Sequence, residues 1–191
     1  MMMKHIYIIE HLEPELYPWC LIEYKSISKI VGKQNLWFTN VKEKEKNKLK
    51  NLGKVFTDSV KSLDIPNSCI LDPEAPKILT SKDSKQFQYF ILGGILGDYP
   101  PRKRTKQELT SFLKGKQRNI GKEQFSTDNA VYVVKQITNG VELKSMKFQN
   151  ELEIKINKIE SILLPYSYPL IKNKPRISKE LVQFLKKKKT F

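Results

Sequence analysis

The sequence predicts an α/β fold with a mainly parallel sheet that helices cover on both faces. Short apolar runs rich in β-branched and aromatic residues, as in buried strands, alternate along residues 5–138 with segments of helical periodicity. A chain of 191 residues is also long enough to bury one hydrophobic core. Because strands that alternate with helices form βαβ units, we expect the strands of the sheet to be parallel.

The predicted elements follow this alternation in chain order. Four apolar runs are predicted as strands, at residues 5–9, 35–41, 69–71 and 87–92, and a further short strand is left open at 55–56. Three helices are predicted, at residues 19–31 with Gly32 at the end, at 105–112, and at 127–138 with Ser126 or Thr127 as cap and Gly140 beyond. Residues 42–50 are mostly lysine and glutamate, which indicates a solvated helix or loop.

The pattern changes after Phe148. Apolar residues alternate with polar ones through Leu152, Ile154 and Ile156, which predicts an added strand. Residues 164–175 contain three prolines and are predicted to be irregular, and residues 178–189 are predicted as a short basic helix. Since no internal repeat or long linker interrupts the chain, we predict a single domain over residues 1–191, with 150–191 as its divergent basic C-terminal extension.

The chain carries a formal net charge of +15, which favours anionic partners such as nucleic acid or a ribonucleoprotein. Only four of the 35 basic residues are arginines, and an excess of lysine equally fits a solvated surface. Both interpretations stay open. No apolar run reaches the roughly 18 residues of a membrane span, and the first ten residues lack signal-peptide features. We therefore expect a cytoplasmic protein without a membrane partner.

The two cysteines, Cys20 and Cys69, lie far apart in the sequence. Each is predicted to be a buried free thiol, because a disulfide does not persist in a reducing compartment. With only His5 and His11 beside them, the chain has too few soft ligands for a structural zinc site. We therefore predict no metal.

Glycines and arginines concentrate in one stretch of the chain. Five of the eight glycines and three of the four arginines lie between residues 93 and 121, directly after the predicted strand at 87–92. Glycine lets a ligand approach the backbone, arginine offers a fixed cation, and open parallel sheets bind ligands at the carboxyl ends of their strands. The alternative is a plain turn between strand and helix. The spacing matches neither a dinucleotide fingerprint nor a phosphate-binding loop.

Around these glycines the sequence resembles a known family. The resemblance rests first on Phe90-x-Leu92-Gly93-Gly94-Ile95-Leu96-Gly97-Asp98-x-Pro100-Pro101-Arg102-x-Arg104-Thr105-Lys106. It continues in Tyr7-Ile8-Ile9-Glu10-His11, Trp19-x-x-Ile22-Glu23-Tyr24, Asn35-Leu36, Leu71-Asp72-Pro73, Arg118-x-x-Gly121, Gln124 and Ser126-Thr127-Asp128-x-Ala130. Over residues 4–150 the chain is similar to the SPOUT superfamily of α/β-knot methyltransferases. The matching branch is that of predicted RNA methyltransferases, which includes a eukaryotic protein-arginine methyltransferase of a small-subunit ribosomal protein. Residues 150–191 match poorly.

The resemblance implies S-adenosylmethionine as cofactor, a C-terminal trefoil knot, and a cofactor pocket formed by three loops at residues 71–73, 93–98 and 118–130. The residues that it implies as cofactor-binding are Leu71, Asp72, Pro73, Gly93, Gly94, Ile95, Leu96, Gly97, Asp98, Arg118, Ile120, Gly121, Gln124, Phe125, Ser126, Thr127, Asp128 and Ala130. We expect Leu96, Ile120 and Phe125 to pack on the adenine, with core packing as the alternative for the last two. Asp72 or Asp98 is expected to bind a ribose hydroxyl or the amino group. A bulky residue at Gly94 is expected to abolish cofactor binding without unfolding the chain.

The candidate catalytic residues are Glu10, Asp98 and Arg104. If the acceptor is arginine, its protonated guanidinium is a poor nucleophile, and a carboxylate near the methyl group would orient it and take a proton. Glu10, at the end of the first strand, and Asp98 are the candidates for this carboxylate. The alternative is a structural carboxylate that pairs with Arg102 or Arg104.

Three functions follow from the resemblance and the charge. The first is S-adenosylmethionine-dependent N-methylation of an arginine in a ribosomal protein, for which the resemblance and not the composition selects arginine. The second is methylation of rRNA or tRNA, with the basic residues 42–54 and 172–189 as RNA-binding surface. The third is a non-catalytic module that binds ribosomes or RNA. We expect a monomer rather than a dimer.

Overall fold

A computed structural model of the chain describes residues 4–188 and contains the predicted parallel sheet. The six strands of this sheet are β1 (Ile6–His11), β2 (Leu36–Thr39), β3 (Lys54–Val55), β4 (Ser68–Leu71), β5 (Tyr89–Gly94) and β6 (Lys116–Arg118). They are ordered β3-β2-β1-β5-β4-β6, and every neighbouring pair is parallel. The prediction of a parallel α/β sheet is therefore confirmed.

Helices and helical turns cover both faces of the sheet. The helices are α1 (Pro18–Val31), α2 (Lys46–Leu49), α3 (Ser81–Ser84), α4 (Arg104–Glu108), α5 (Thr127–Thr138) and α6 (Lys179–Lys188). Helices α1 and α5 pack on the face that carries Tyr7, Ile9 and Phe38. On the opposite face, Ile8 and Ile91 pack against Val60, from a short helical turn, and Leu109, which follows α4.

The C-terminal part of the chain forms a second sheet, which is antiparallel. Its strands are β7 (Phe148–Lys155), β8 (Ser161–Ile171) and β9 (Lys174–Pro175), in that order. Together with α6, this sheet packs on the outer side of α1, where Ile22 contacts a cluster that includes Leu164, Tyr168 and Leu185. Helix α1 therefore lies between the parallel sheet and the C-terminal layer.

The prediction that residues 164–175 are irregular is wrong, because β8 runs through two of their prolines. Pro165 lies at an irregularity in the β7–β8 pairing, where the register shifts between Asn150 and Leu152. A bulge leaves a backbone position unpaired, so the missing N–H of proline costs nothing there. Pro169 lies opposite Phe148, the first residue of β7, and its carbonyl accepts a hydrogen bond from Arg176 N at 2.8 Å.

The remaining differences from the sequence prediction are small. Helix α4 is shorter than the predicted helix at 105–112, and a 3₁₀ turn at Thr110–Phe112 follows it. Strand β6 was not predicted, because its residues are polar and only its pairing with β4 defines it. Both cysteines are buried free thiols, as predicted, and burial raises the pKa of each to about 12.

Within the described part of the chain, none of the helices has the length and apolar character that crossing a bilayer requires. Residues 1–3 and 189–191, which belong to the predicted domain and include the last residue of the predicted basic helix, lie outside the described residues.

Candidate active site

A cavity of about 260 Å³ lies at the carboxyl ends of β4 and β5, where parallel sheets bind ligands. Three loops form it: the loop after β4, the long loop from β5 into α4, and the loop between β6 and α5. We call this cavity the hollow. The bends after β5 and around Gly121, which the sequence analysis placed in one pocket, thus face the same space.

Thirteen of the eighteen residues that the resemblance implies as cofactor-binding line the hollow. They are Leu71, Asp72, Pro73, Gly93, Ile95, Gly97, Asp98, Ile120, Gly121, Gln124, Phe125, Thr127 and Ala130. Nine further residues line the hollow that were not predicted as site residues. Six of them lie within the glycine-rich motif that carries the resemblance, namely Leu92, Pro101, Arg102, Lys103, Thr105 and Lys106, and Glu74, Lys122 and Glu123 directly adjoin predicted cofactor-binding residues. Their position within or beside the motifs is the signal that would have included them.

Five of the eighteen implied residues do not line the hollow, and Gly94 is the clearest case. A Cβ built on Gly94 would lie 2.2 Å from Tyr24 Oη and 3.0 Å from Ile9 Cγ2. A side chain at Gly94 would therefore point into the core under α1 and not into the hollow. We therefore expect a bulky residue at Gly94 to destabilise the fold, in contrast to the expectation from the sequence.

The other four residues support the walls of the hollow from outside. Leu96 donates its backbone N–H to Glu13 Oε1 at 2.8 Å, and its side chain packs against the core. The Arg118 side chain pairs with Asp83, but the Arg118 carbonyl accepts a hydrogen bond from Asp72 N at 2.9 Å. Ser126 and Asp128 are buried and hydrogen-bond to each other. Arg118, Ser126 and Asp128 therefore contribute to the scaffold of the loops.

The structure also contradicts the placement of Glu10 beside the methyl group. Glu10 is fully buried and does not line the hollow. Its carboxylate accepts hydrogen bonds from Thr39 Oγ1 at 2.5 Å, from Ser59 Oγ, and from Val60 N at 2.9 Å. Glu10 is thus the structural carboxylate of the alternative interpretation, although its partners are not Arg102 or Arg104. It ties β1 to β2 and to the helical turn on the second face of the sheet.

We predict that Glu10→Gln lowers the free energy of unfolding by about 1–3 kcal/mol, because the glutamine amide cannot accept from all three donors. The rate of methyl transfer, measured at a temperature where the variant is folded, should stay within about twofold of wild type. A large loss of rate in a Glu10→Gln variant of unchanged stability would show instead that Glu10 takes part in methyl transfer. Thermal unfolding and a methyl-transfer assay test both parts.

Arg104, the third catalytic candidate, lines the hollow, and each of its three guanidinium nitrogens donates a hydrogen bond to the chain. Its guanidinium donates to Glu13 Oε1 at 2.7 Å, to Glu108 Oε1 at 2.7 Å and to the Leu12 carbonyl at 3.4 Å. These carboxylates raise the pKa of Arg104 above its already high value. Because Glu13 also accepts from Leu96 N, it joins Arg104 to the loop after β5. Sequence reasoning missed Glu13, which lies outside every motif.

Asp98 is the predicted catalytic residue that faces the hollow with an available side chain. Its carboxylate is 34% exposed, and the nearest cation is Arg102 Nε at 3.9 Å, itself on an exposed side chain. Among the described residues its carboxylate has no shorter ion pair. The backbone is held more firmly, since the Asp98 carbonyl accepts from Gln124 Nε2 at 3.3 Å.

A buried acidic pair lies beneath the start of α5. Glu23 accepts hydrogen bonds from Trp19 Nε1 at 2.9 Å and from Thr127 N at 3.2 Å, so it caps α5 in place of Ser126. Asp128 binds Arg176 Nη1 at 3.0 Å. Burial, followed by the nearby charge of Asp128, raises the pKa of Glu23 to about 8.

This raised pKa predicts how stability depends on pH. Folded Glu23 keeps its proton up to about pH 8, whereas its usual pKa is 4.5. The unfolded chain therefore binds fewer protons between these values, and stability falls as the pH rises through them, by at most about 1.4 kcal/mol per pH unit from this group. Urea unfolding from pH 5 to pH 8 should show a smaller fall for Glu23→Gln than for wild type. Parallel curves would contradict the assignment.

Known proteins resemble this chain over nearly its whole length. A family model described as "Protein arginine N-methyltransferase SFM1-like" matches residues 6–190. Protein arginine N-methyltransferase SFM1 of Saccharomyces cerevisiae (strain ATCC 204508 / S288c) is 33% identical over 200 residues, which cover 95% of this chain and 94% of that protein. The family match thus extends past residue 150, where the motif resemblance ended.

Solved structures agree in fold. The crystal structure of yeast arginine methyltransferase SFM1 complexed with SAM matches with a TM-score of 0.88 at 33% identity, over 97% of this chain and 92% of that one. The crystal structure of a dual-specific Trm10 from Thermococcus kodakaraensis matches with a TM-score of 0.55 at 18% identity, over 73% of this chain and 95% of that one, and at this identity the likeness concerns the fold alone. The family model and the yeast relative confirm the resemblance to a protein-arginine methyltransferase, and the Trm10 structure agrees in fold, while the knot stays a prediction.

Proposed function

Because the chain belongs to the SFM1-like family of protein arginine N-methyltransferases, we propose that it transfers a methyl group from S-adenosylmethionine to an arginine of a protein substrate. The substrate that the sequence resemblance implies is a ribosomal protein. The observation that supports the proposal most directly is the hollow, where three loops bring apolar side chains, carboxylates and glycines together.

The residues of the hollow fit S-adenosylmethionine. Leu71, Ile120 and Phe125 offer apolar faces for an adenine ring, and Gly93 and Gly121 line the hollow without a side chain. A Cβ on Gly121 would meet no atom within 4 Å, so the space beside this glycine is open. The volume of about 260 Å³ is close to the lower end of the range for small-molecule pockets, about 300–1,000 Å³.

Asp98 is the residue that we assign to the acceptor. When bound, S-adenosylmethionine supplies a methyl group that its positive sulfur already activates. The acceptor guanidinium is protonated at neutral pH and must lose a proton to become a nucleophile. Asp98, with its partly exposed carboxylate in the hollow, orients the guanidinium and takes this proton. Arg104, whose three nitrogens each donate to an oxygen of the chain, holds the wall of the hollow instead.

The hollow carries little of the basic charge that would attract RNA. Its lining has five cations and four carboxylates: Arg102, Lys103, Arg104, Lys106 and Lys122 against Asp72, Glu74, Asp98 and Glu123. Most of the net charge of +15 therefore lies on other parts of the chain. Because this nearly balanced lining gives phosphates little attraction and the family match selects arginine, RNA methylation is the second candidate.

Isotope-labelled S-adenosylmethionine distinguishes the candidates. The enzyme is incubated with labelled cofactor and either small-subunit ribosomal proteins or protein-free ribosomal RNA, with heat-unfolded enzyme as control. We expect label in the protein fraction, and mass spectrometry of its peptides should locate the methyl group on arginine. Label in the RNA alone would contradict the proposal. A folded chain that binds no millimolar cofactor by calorimetry would favour the non-catalytic module.

A further inference from the structure

Two adjacent residues of β8 hold two of the loops that form the hollow. Tyr166 Oη donates a hydrogen bond to the Gly97 carbonyl at 3.2 Å, in the loop after β5. Ser167 N donates to the Gln124 carbonyl at 2.8 Å, in the loop before α5. Gln124 Nε2 in turn donates to the Asp98 carbonyl at 3.3 Å, which joins the two loops directly. Strand β8 lies outside the cavity but sets the distance between its walls.

The contact between Tyr166 and Gly97 is close as well as polar. A Cβ on Gly97 would lie 2.6 Å from Tyr166 Cε1 and 2.8 Å from Gln124 Nε2. The Tyr166 ring therefore packs directly against the backbone of Gly97 and restrains it. Gly97 also lines the hollow. Any shift of this ring moves the residue that precedes Asp98.

Strand β8 is itself rigidly supported. It pairs with β7 along most of its length, and Tyr168, two residues after Tyr166, is 2% exposed in the cluster that packs on α1. A loop that is hydrogen-bonded to a strand packed in a hydrophobic core is held more precisely than a loop without such a contact.

We propose that Tyr166 is a positioning residue for methyl transfer, which acts through Gly97 to hold the cofactor loop and to place Asp98. This inference rests on the proposed function of the hollow. It assigns a role in the active site to residues 150–191, which the sequence analysis treated as a divergent extension. Tyr166 does not line the hollow, so it acts through the loop that it contacts.

The test compares Tyr166→Phe with Tyr168→Phe. The first variant removes the hydroxyl that holds the Gly97 carbonyl, and the second removes a hydroxyl with no hydrogen bond among the described residues. Calorimetry should show S-adenosylmethionine binding weakened about 3- to 10-fold in Tyr166→Phe and unchanged in Tyr168→Phe. Because Asp98 is displaced too, kcat should fall in Tyr166→Phe even at saturating cofactor. The thermal midpoints of the two variants should agree within about 3 °C.

Further variants separate this inference from the cofactor site itself. Tyr166→Leu, which loses the ring as well, should bind more weakly than Tyr166→Phe, and Gly97→Val should abolish binding. If Tyr166→Phe binds and turns over like wild type while Gly97→Val does not bind, the positioning role is overturned and the hollow stands. If both bind like wild type, the proposed cofactor site is overturned. Unfolding of Tyr166→Phe would also overturn the inference, because Tyr166 would then be a core residue.

Discussion

Replacement of Asp98 by asparagine is expected to lower the rate of methyl transfer by about 100-fold or more, the usual effect of losing a general base. Asparagine has nearly the same shape as aspartate but carries no charge and cannot take a proton. The hollow keeps its form, since the Asp98 contact to Gln124 uses the backbone carbonyl. Cofactor binding should therefore weaken much less than kcat falls.

The measurement is steady-state methyl transfer with an arginine-containing protein substrate, together with calorimetry of S-adenosylmethionine binding. Asp64→Asn is a matched control, because Asp64 is exposed and does not line the hollow. Equal losses in both variants would point to a general effect of charge. A rate close to wild type in Asp98→Asn would show that Asp98 is not the general base.

Replacement of Gly94 by valine is expected to lower the free energy of unfolding by about 3 kcal/mol or more, which is at the upper end of the cost of overpacking a core. Its Cβ would overlap Tyr24 Oη, 2.2 Å away, and Tyr24 is almost fully buried. The ring must move, and its hydrogen bond with His11 Nδ1, now 2.8 Å long, is lost. The thermal midpoint should fall by about 6–12 °C for a chain of this size.

Gly93→Ala is the control for Gly94→Val. The atoms nearest to a Cβ on Gly93 belong to the side chains of Ile95, at 3.0 Å, and Leu12, at 3.4 Å. These are flexible side-chain ends, so we expect a loss below about 1 kcal/mol. A Gly94→Val variant that melts like wild type would show that the core under α1 yields to the added atoms.

Local signals were sufficient for much of the fold. Helix α5 spans Thr127–Thr138 as its helical periodicity and Gly140 predict, although its first amide is capped by Glu23, a distant residue, and not by Ser126. Strand β8 was missed because the tolerance for Pro165 depends on a bulge that forms only against β7. Strand β6 was missed for a similar reason, as its polar residues become a strand only by pairing with β4.

The site, too, was predicted in part. The glycine-rich segment and the family motifs locate its loops, because the residues of one loop are close in sequence as well as in space. The role of Glu10 could not be predicted, since its hydrogen bonds come from Thr39, Ser59 and Val60, on other parts of the chain. Glu13 and Tyr166 reach the site only through the tertiary fold. For these residues the sequence offers no local signal.

A crystal structure of the chain with S-adenosylhomocysteine is the most direct test of the central claim, which is that the hollow is the cofactor site. We predict that the nucleoside lies between Leu71, Gly97 and Phe125, with its sulfur on the side of Asp98. A ligand bound at any other surface, with the three loops empty, would contradict this claim.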